Sequence, residues 1–159
     1  MKTDFAAVLQ NCVEVLKNGG LILYPTDTVW GIGCDATNAT AVGKVYTLKK
    51  RKDSKALICL VANDAMLERH VQQVPDLAYD IMDLATKPTT IIYDNPTGIA
   101  QNLVAPDHSL AIRVASDKFC RHLIKTFKKP IVSTSANVSG KDTPKSFTEI
   151  ESVILKGVD

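Results

Sequence analysis

Two clusters in this chain carry side chains suited to holding an anion. The first is Lys49-Lys50-Arg51, at the end of a segment whose Ala41, Val45 and Leu48 mark a helix over residues 39–49. Cations near a helix C-terminus also offset its exposed carbonyls, by about 0.3–1 kcal/mol, so a solvated helix end is the plainer explanation of the basic run alone. A shared ligand adds a geometric demand. Residues two apart point to nearly opposite sides of a helix but to one side of an extended chain. Lys49 and Arg51 can converge only if the helix ends near Lys49 and the backbone runs on extended. The second cluster is STSANVSG, residues 133–140, fed by the apolar run Pro130, Ile131 and Val132. Ligands of open α/β sheets bind beyond the carboxyl ends of the strands, where small side chains let backbone N–H groups approach. Ser133, Ser135 and Asn137 share a side if the chain stays extended. Polar turns use the same residue types, but a strand feeding so dense a cluster favours a ligand.

A third segment, YPTDTVWGIG over residues 24–33, sets Thr26 and Thr28 around an acid at another strand end. Its Gly31-x-Gly33 loosely fits a dinucleotide-binding turn. That reading fails on context, because a loop and Trp30 precede the glycines, no helix opens on them, and basic residues stand where an acid is needed. A phosphate-binding P-loop is absent too, since Gly140-Lys141 lacks the leading glycine and the following Ser/Thr.

The elements that must position these clusters follow from periodicity. Phe5, Val8, Leu9, Cys12 and Leu16 form a helical stripe after Thr3/Asp4, closed by Gly19-Gly20. Strands are predicted at residues 21–24, 29–33, 56–62, 89–93, 110–114 and 130–134. Helices are predicted over 64–70, after Pro75 (with Leu77, Ile81 and Leu84), and from Ser116 or Asp117 to Phe127. Ser146-x-x-Glu149 reads as the capping box of a last helix. Strands and helices intermingle without repeat or linker, which predicts one α/β domain over residues 1–159 built on a mixed sheet. Gly157-Val158-Asp159 looks like the start of a further strand.

Composition narrows the class. At 159 residues the chain can bury a sizeable core. The net charge of +2 imposes no global nucleic-acid field. Cys12, Cys34, Cys59 and Cys120 are scattered singly, which argues against zinc and against disulfides and places three of them in apolar core runs. The longest apolar runs are far short of a membrane span, and residues 1–5 lack a signal core, so a soluble cytoplasmic protein is expected.

Taken in order, YPTDTVWGIG, LKKR, LAIRV and STSANVSG resemble the YrdC/Sua5 family of threonylcarbamoyl-AMP synthases, over roughly residues 21–140. The resemblance implies a twisted mixed sheet with flanking helices and a large, positively lined concave cavity. It implies an enzyme, a nucleotidyltransferase that makes threonylcarbamoyl-AMP and pyrophosphate from ATP, L-threonine and bicarbonate, the first step of t6A modification in tRNA. By that resemblance Lys49 and Arg51 act in catalysis and, with Ser135 and Asn137, hold the nucleotide. Thr28, Ser109 and Thr143 stand where weaker nucleotide or substrate contacts are expected. Thr26, Arg113 and Ser133 match threonine-contacting positions, although Arg113 on spacing alone could be a sheet-edge arginine paired to an acid. Mg²⁺ is implied with ATP, without a protein metal site. Implied partners are tRNA or double-stranded RNA and the other proteins of tRNA threonylcarbamoylation, with no membrane. Catalysis would rest on positioning and charge, and Lys49→Ala is expected to cut turnover while leaving the fold intact.

Two departures stand out. The family's W-P-G-P-L-T-like stretch is Ala85-Thr86-Lys87-Pro88-Thr89-Thr90 here, and Lys87 in place of glycine is expected to reshape the cavity floor. The family's C-terminal strand segment is also missing from the sequence, which is expected to leave the nucleotide less enclosed. The rival reading is a non-catalytic YciO-like paralogue that binds nucleotide or RNA in the same basic cavity. Intact Lys49-x-Arg51 and Ser135-x-Asn137 favour the enzyme.

Overall fold

The computed structural model describes residues 5–26, 28–50, 57–138 and 141–159. Its elements in chain order are α1 (Phe5–Lys17), β1 (Ile22–Pro25), β2 (Trp30–Gly33), α2 (Ala39–Lys49), β3 (Ile58–Val61) and α3 (Asp64–His70). Then come α4 (Asp76–Leu84), β4 (Thr90–Asp94), β5 (Ser109–Val114), α5 (Lys118–Phe127), β6 (Ile131–Ser135) and α6 (Ser152–Gly157). Short 3₁₀ turns occupy Gln101–Leu103 and Phe147–Glu149. Side-chain caps start three of the helices. Asn38 accepts from the Ala41 N–H, Asn63 from Met66 and Asp117 from Cys120, each satisfying a donor with no partner inside its helix.

The strands form one sheet in the order β1-β2-β6-β3-β5-β4. Only β3 and β5 run parallel in it; the other neighbouring strands are antiparallel. The sheet is therefore mixed, as expected. Strand β6 lies inside it, with Ile131 and Val132 fully buried, and it carries the hydroxyl cluster from the core to the strand end. Residues paired across strands share a face. Gly31 with Ser135, Ile58 with Ser133, and Arg113 with Thr90 and Leu60 thus belong to one face.

The glycines of Gly31-x-Gly33 have a packing explanation. A β-carbon on Gly33 would stand 2.6 Å from Tyr24 Cε1 and 3.0 Å from the Val132 carbonyl. The Tyr24 ring lies across that gap, and its hydroxyl donates to Val132 O at 3.3 Å. Burial holds this phenol far above its ordinary pKa. The motif seats an aromatic ring in the sheet, not a pyrophosphate.

One expectation changes. The capping box does not form, because Ser146 Oγ pairs with Thr148 Oγ1 and Glu149 accepts from the Lys145 N–H. The last helix is consequently split into the 3₁₀ turn at Phe147–Glu149 and α6. On α4 the apolar residues that mark the helix in the sequence face out. Leu77, Ile81 and Leu84 are 66%, 40% and 81% exposed, while Ala78 faces in. At the far end of the chain, the Asp159 N–H donates to Leu21 O and its carboxylate accepts the Leu21 N–H, at 2.8 and 2.9 Å.

Two tests follow from this packing. Gly33→Ala should destabilise the fold by about 1–3 kcal/mol in urea unfolding, as over-packed cores do; an unchanged midpoint would contradict the Tyr24 seat. Burial raises the Cys34 and Cys59 thiols, Cys59 to about 12, and Cys120 is buried as well. At about pH 8 only half-buried Cys12 should react with a disulfide reagent in the native protein, and slowly. Rapid modification of more than one thiol would refute this.

Candidate functional site

Helix α2 ends at Lys49, and Lys50 takes the left-handed conformation, φ 54°, that closes it. This meets the first half of the geometric condition for convergence. Arg51 lies outside the described residues. Lys49 itself is 1% exposed. Its Nζ donates to Ser135 O at 2.6 Å and to Thr134 Oγ1 at 2.8 Å, with Ser135 Oγ at 3.3 Å. An ammonium has three protons to place, and these acceptors lie at the end of β6. Because Thr134 points to the face opposite Ser133 and Ser135, the lysine reaches the strand end from the α2 side. Lys49 is thus part of the packing, which corrects the expectation that its removal leaves the fold untouched.

On the other face of β6 lies a hollow of roughly 340 Å³, within the range of small-ligand sites. Thr26, Thr28, Arg113, Ser133 and Ser135 all line it, together with Thr134, Gly31 and the apolar Val29, Leu57 and Ile58. Strands β5 and β6 and the β1–β2 turn thus bring five of the expected residues to one place. Arg113 is 7% exposed and shares this lining with the hydroxyls of Thr26, Thr28, Ser133 and Ser135. A buried guanidinium ringed by hydroxyls suits a carboxylate or phosphate, which it can hold with two parallel bonds.

Within this group the hydroxyls differ. Thr26 Oγ1 donates to Val29 O at 2.6 Å and accepts the N–H groups of Thr28 and Val29 at 3.1 Å. It clasps the β1–β2 turn, so a ligand would meet a hydroxyl already committed as donor. Thr28 is exposed, with its hydroxyl 3.1 Å from that of Thr26.

Asn137 leaves the strand alternation. Its N–H donates to Ser135 O at 2.9 Å, so the chain turns immediately after β6. The Asn137 amide nitrogen donates to the carbonyls of Val138 and Lys141, both at 3.1 Å, and clamps the two sides of the following loop. Its Oδ1 is buried without a hydrogen-bond partner among the described residues.

Ser109 lies on the same sheet face as Arg113, four residues back along β5 and about 13 Å away at the usual strand rise. It lines a separate hollow of about 430 Å³ with Ile92, Pro106 and Ala111, and its hydroxyl donates to Asp107 at 2.5 Å. That bond holds the Asp107 carboxyl below its ordinary range. Thr143 is exposed and is not among the residues lining either hollow. Lys87 lines a different hollow of about 660 Å³ beside Asp83 and Arg121, not the one holding Arg113. Among the described residues these hollows are separate, and they do not show the single large concave cavity expected for the fold.

Sequence reasoning missed Thr134, the hydroxyl partner of Lys49. The signal was available, since strand alternation opposes it to Ser133 and Ser135 and turns it toward α2.

The fold and hollow define an α/β protein with a mixed sheet and an anion-suited site at a strand end. The family profile named for Sua5, YciO and YrdC, described as "Telomere recombination", matches residues 14–159, and the chain belongs to this family. A threonylcarbamoyl-AMP synthase of Photobacterium profundum is 36% identical over 94% of this chain and 86% of its own length. The structure of P. abyssi Sua5 complexed with L-threonine superposes with a TM-score of 0.90 at 22% identity, over 100% of this chain and 47% of that one. The chain thus spans about half of that protein's length. E. coli YciO superposes with a TM-score of 0.84 at 23% identity, over 99% of this chain and 77% of that one. These two likenesses establish the fold.

Replacing Lys49 by Met keeps length and removes the ammonium, taking one donor from Ser135 O, which keeps the Asn137 N–H, and the lysine donor from Thr134 Oγ1. Lys49→Met should cost about 1.5–3 kcal/mol of stability, the range for hydrogen bonds to a charged group. Unfolding at the wild-type midpoint would show that the contact carries no weight.

Proposed function

We propose that this protein is a threonylcarbamoyl-AMP synthase acting in tRNA modification in the cytoplasm. The observation that carries the reading is the convergence of buried Arg113 with Ser133, Ser135 and the Thr26 turn in one hollow, with Lys49 bonded behind Ser135. Relatives named for this activity, similar over nearly the whole chain, support it. So does a structural neighbour of the same fold that is complexed with L-threonine.

In this reading the Arg113 guanidinium takes the threonine carboxylate, and Ser133 and the Thr26 turn orient the rest of the amino acid. Threonine's amine adds bicarbonate with loss of water to give a carbamate. A carbamate oxygen then forms a bond to the α-phosphorus of ATP, and the bond to the β-phosphate oxygen breaks, releasing pyrophosphate. Ser135, Asn137, Thr28, Lys49 and Arg51 serve the nucleotide, with Lys49 and Asn137 shaping the loop from behind. Ser109 lies farther along the open sheet face, and Thr143 in the segment after the loop. The described lining of hydroxyls and a guanidinium suits no hard divalent ion. Mg²⁺ therefore enters on the triphosphate of ATP, as part of the substrate. The chain functions as a single domain and passes its product to tRNA together with the other threonylcarbamoylation proteins. Among the described residues no helix is long and apolar enough to cross a membrane.

The test is pyrophosphate release with ATP, L-threonine and bicarbonate. Arg113→Lys loses the two-pronged grip and should raise the threonine KM roughly tenfold or more while sparing ATP binding. Arg51→Ala should reduce turnover. Absence of pyrophosphate from the wild-type protein, together with salt-sensitive RNA binding, would instead establish a YciO-like binding role.

A further inference from the structure

The apolar stripe of α4 points away from the core. Leu77, Ile81 and Leu84 stand at i, i+4 and i+7, on one side of the helix, and each is at least 40% exposed. The inward side is supplied by buried Ala78 and partly buried Met82. Asp76, Asp80 and Asp83 form a second stripe directly beside the leucines, at the spacing of neighbouring turns. The Tyr79 hydroxyl donates to Glu68 of α3 at 2.6 Å. Met82 and Asp83 also border the hollow of about 660 Å³ that opens at the end of α4, next to the carboxyl ends of the parallel pair β3 and β5.

A helix that turns its aliphatic stripe to water, with an acidic edge and an adjoining hollow, is suited to receive another surface. The acids select among occupants. Nucleic acid and anionic membranes present negative charge and are repelled. A second copy meeting the same face in a two-fold contact would set aspartates against aspartates. The hollow is neutral in balance, Asp64 and Asp83 against Lys87 and Arg121, so the charge preference comes from the helix. We propose that α4 is a docking surface for a basic amphipathic segment of another protein, with its aliphatic residues on Leu77, Ile81 and Leu84 and its lysines or arginines along Asp76, Asp80 and Asp83. This surface is separate from the hollow that holds Arg113 and does not depend on the proposed reaction.

The test uses the full chain and two helical probe peptides, each with a leucine stripe, one flanked by lysines and one by glutamates. Fluorescence anisotropy should show binding of the lysine peptide and little of the glutamate peptide. Leu77→Ser/Leu84→Ser should unfold at the wild-type midpoint and lose at least about tenfold in affinity. Asp80→Lys/Asp83→Lys should reverse the preference between the peptides. Equal binding of both peptides, or undiminished affinity in the serine variant, would overturn the proposal. A serine variant that fails to fold would overturn it by showing the stripe to be core. A wild-type dimer in sedimentation that the serine variant abolishes would overturn it in favour of self-association.

Discussion

Burying an ammonium group is costly unless its protons are received, and that constraint organises the centre of this protein. Lys49 closes α2 and carries its charge into the sheet, where the Ser135 carbonyl and the Thr134 hydroxyl accept it. The contact joins the end of a helix to the end of a strand 86 residues later in the chain. It can form only if α2 stops at Lys49, which the left-handed Lys50 ensures, and only if β6 emerges beside it. Ser135 is thereby held by its carbonyl from behind while its side chain lines the hollow in front.

The opposite wall depends on a different constraint, the space left by absent side chains. Gly33 lets the Tyr24 ring cross the sheet, and Gly31 brings the Thr26 methyl close, 3.1 Å from where a β-carbon would stand. Thr26 then spends its hydroxyl on the turn between β1 and β2. The hollow is therefore bounded by one rigid turn, one helix-braced strand end and the buried arginine of β5.

Helix α4 shows how far local pattern reaches. Its periodicity correctly marked a helix after Pro75, but periodicity cannot say which side of an amphipathic helix meets the core. The small residue Ala78 faces in, and Leu77, Ile81 and Leu84 meet water. The capping box failed for a related reason. Ser146 and Glu149 pair with Thr148 and Lys145, and the segment between them is a 3₁₀ turn.

What the sequence by itself determined is the set of elements and the motifs they carry. Alternating strands and helices gave a mixed α/β sheet, and an apolar run into STSANVSG placed hydroxyls at a strand end. The motif order identified the family. These are local or ordered signals, and each is written in a few neighbouring residues. Tertiary structure alone decided that Thr26, Arg113, Ser133 and Ser135 share a hollow while Ser109 sits some way along the sheet. It also decided that Lys49 is buried, that Asn137 turns out of the strand, and that α4 shows its leucines to solvent. Such facts depend on strand order and on which faces are covered, which are set by contacts between residues far apart in the chain.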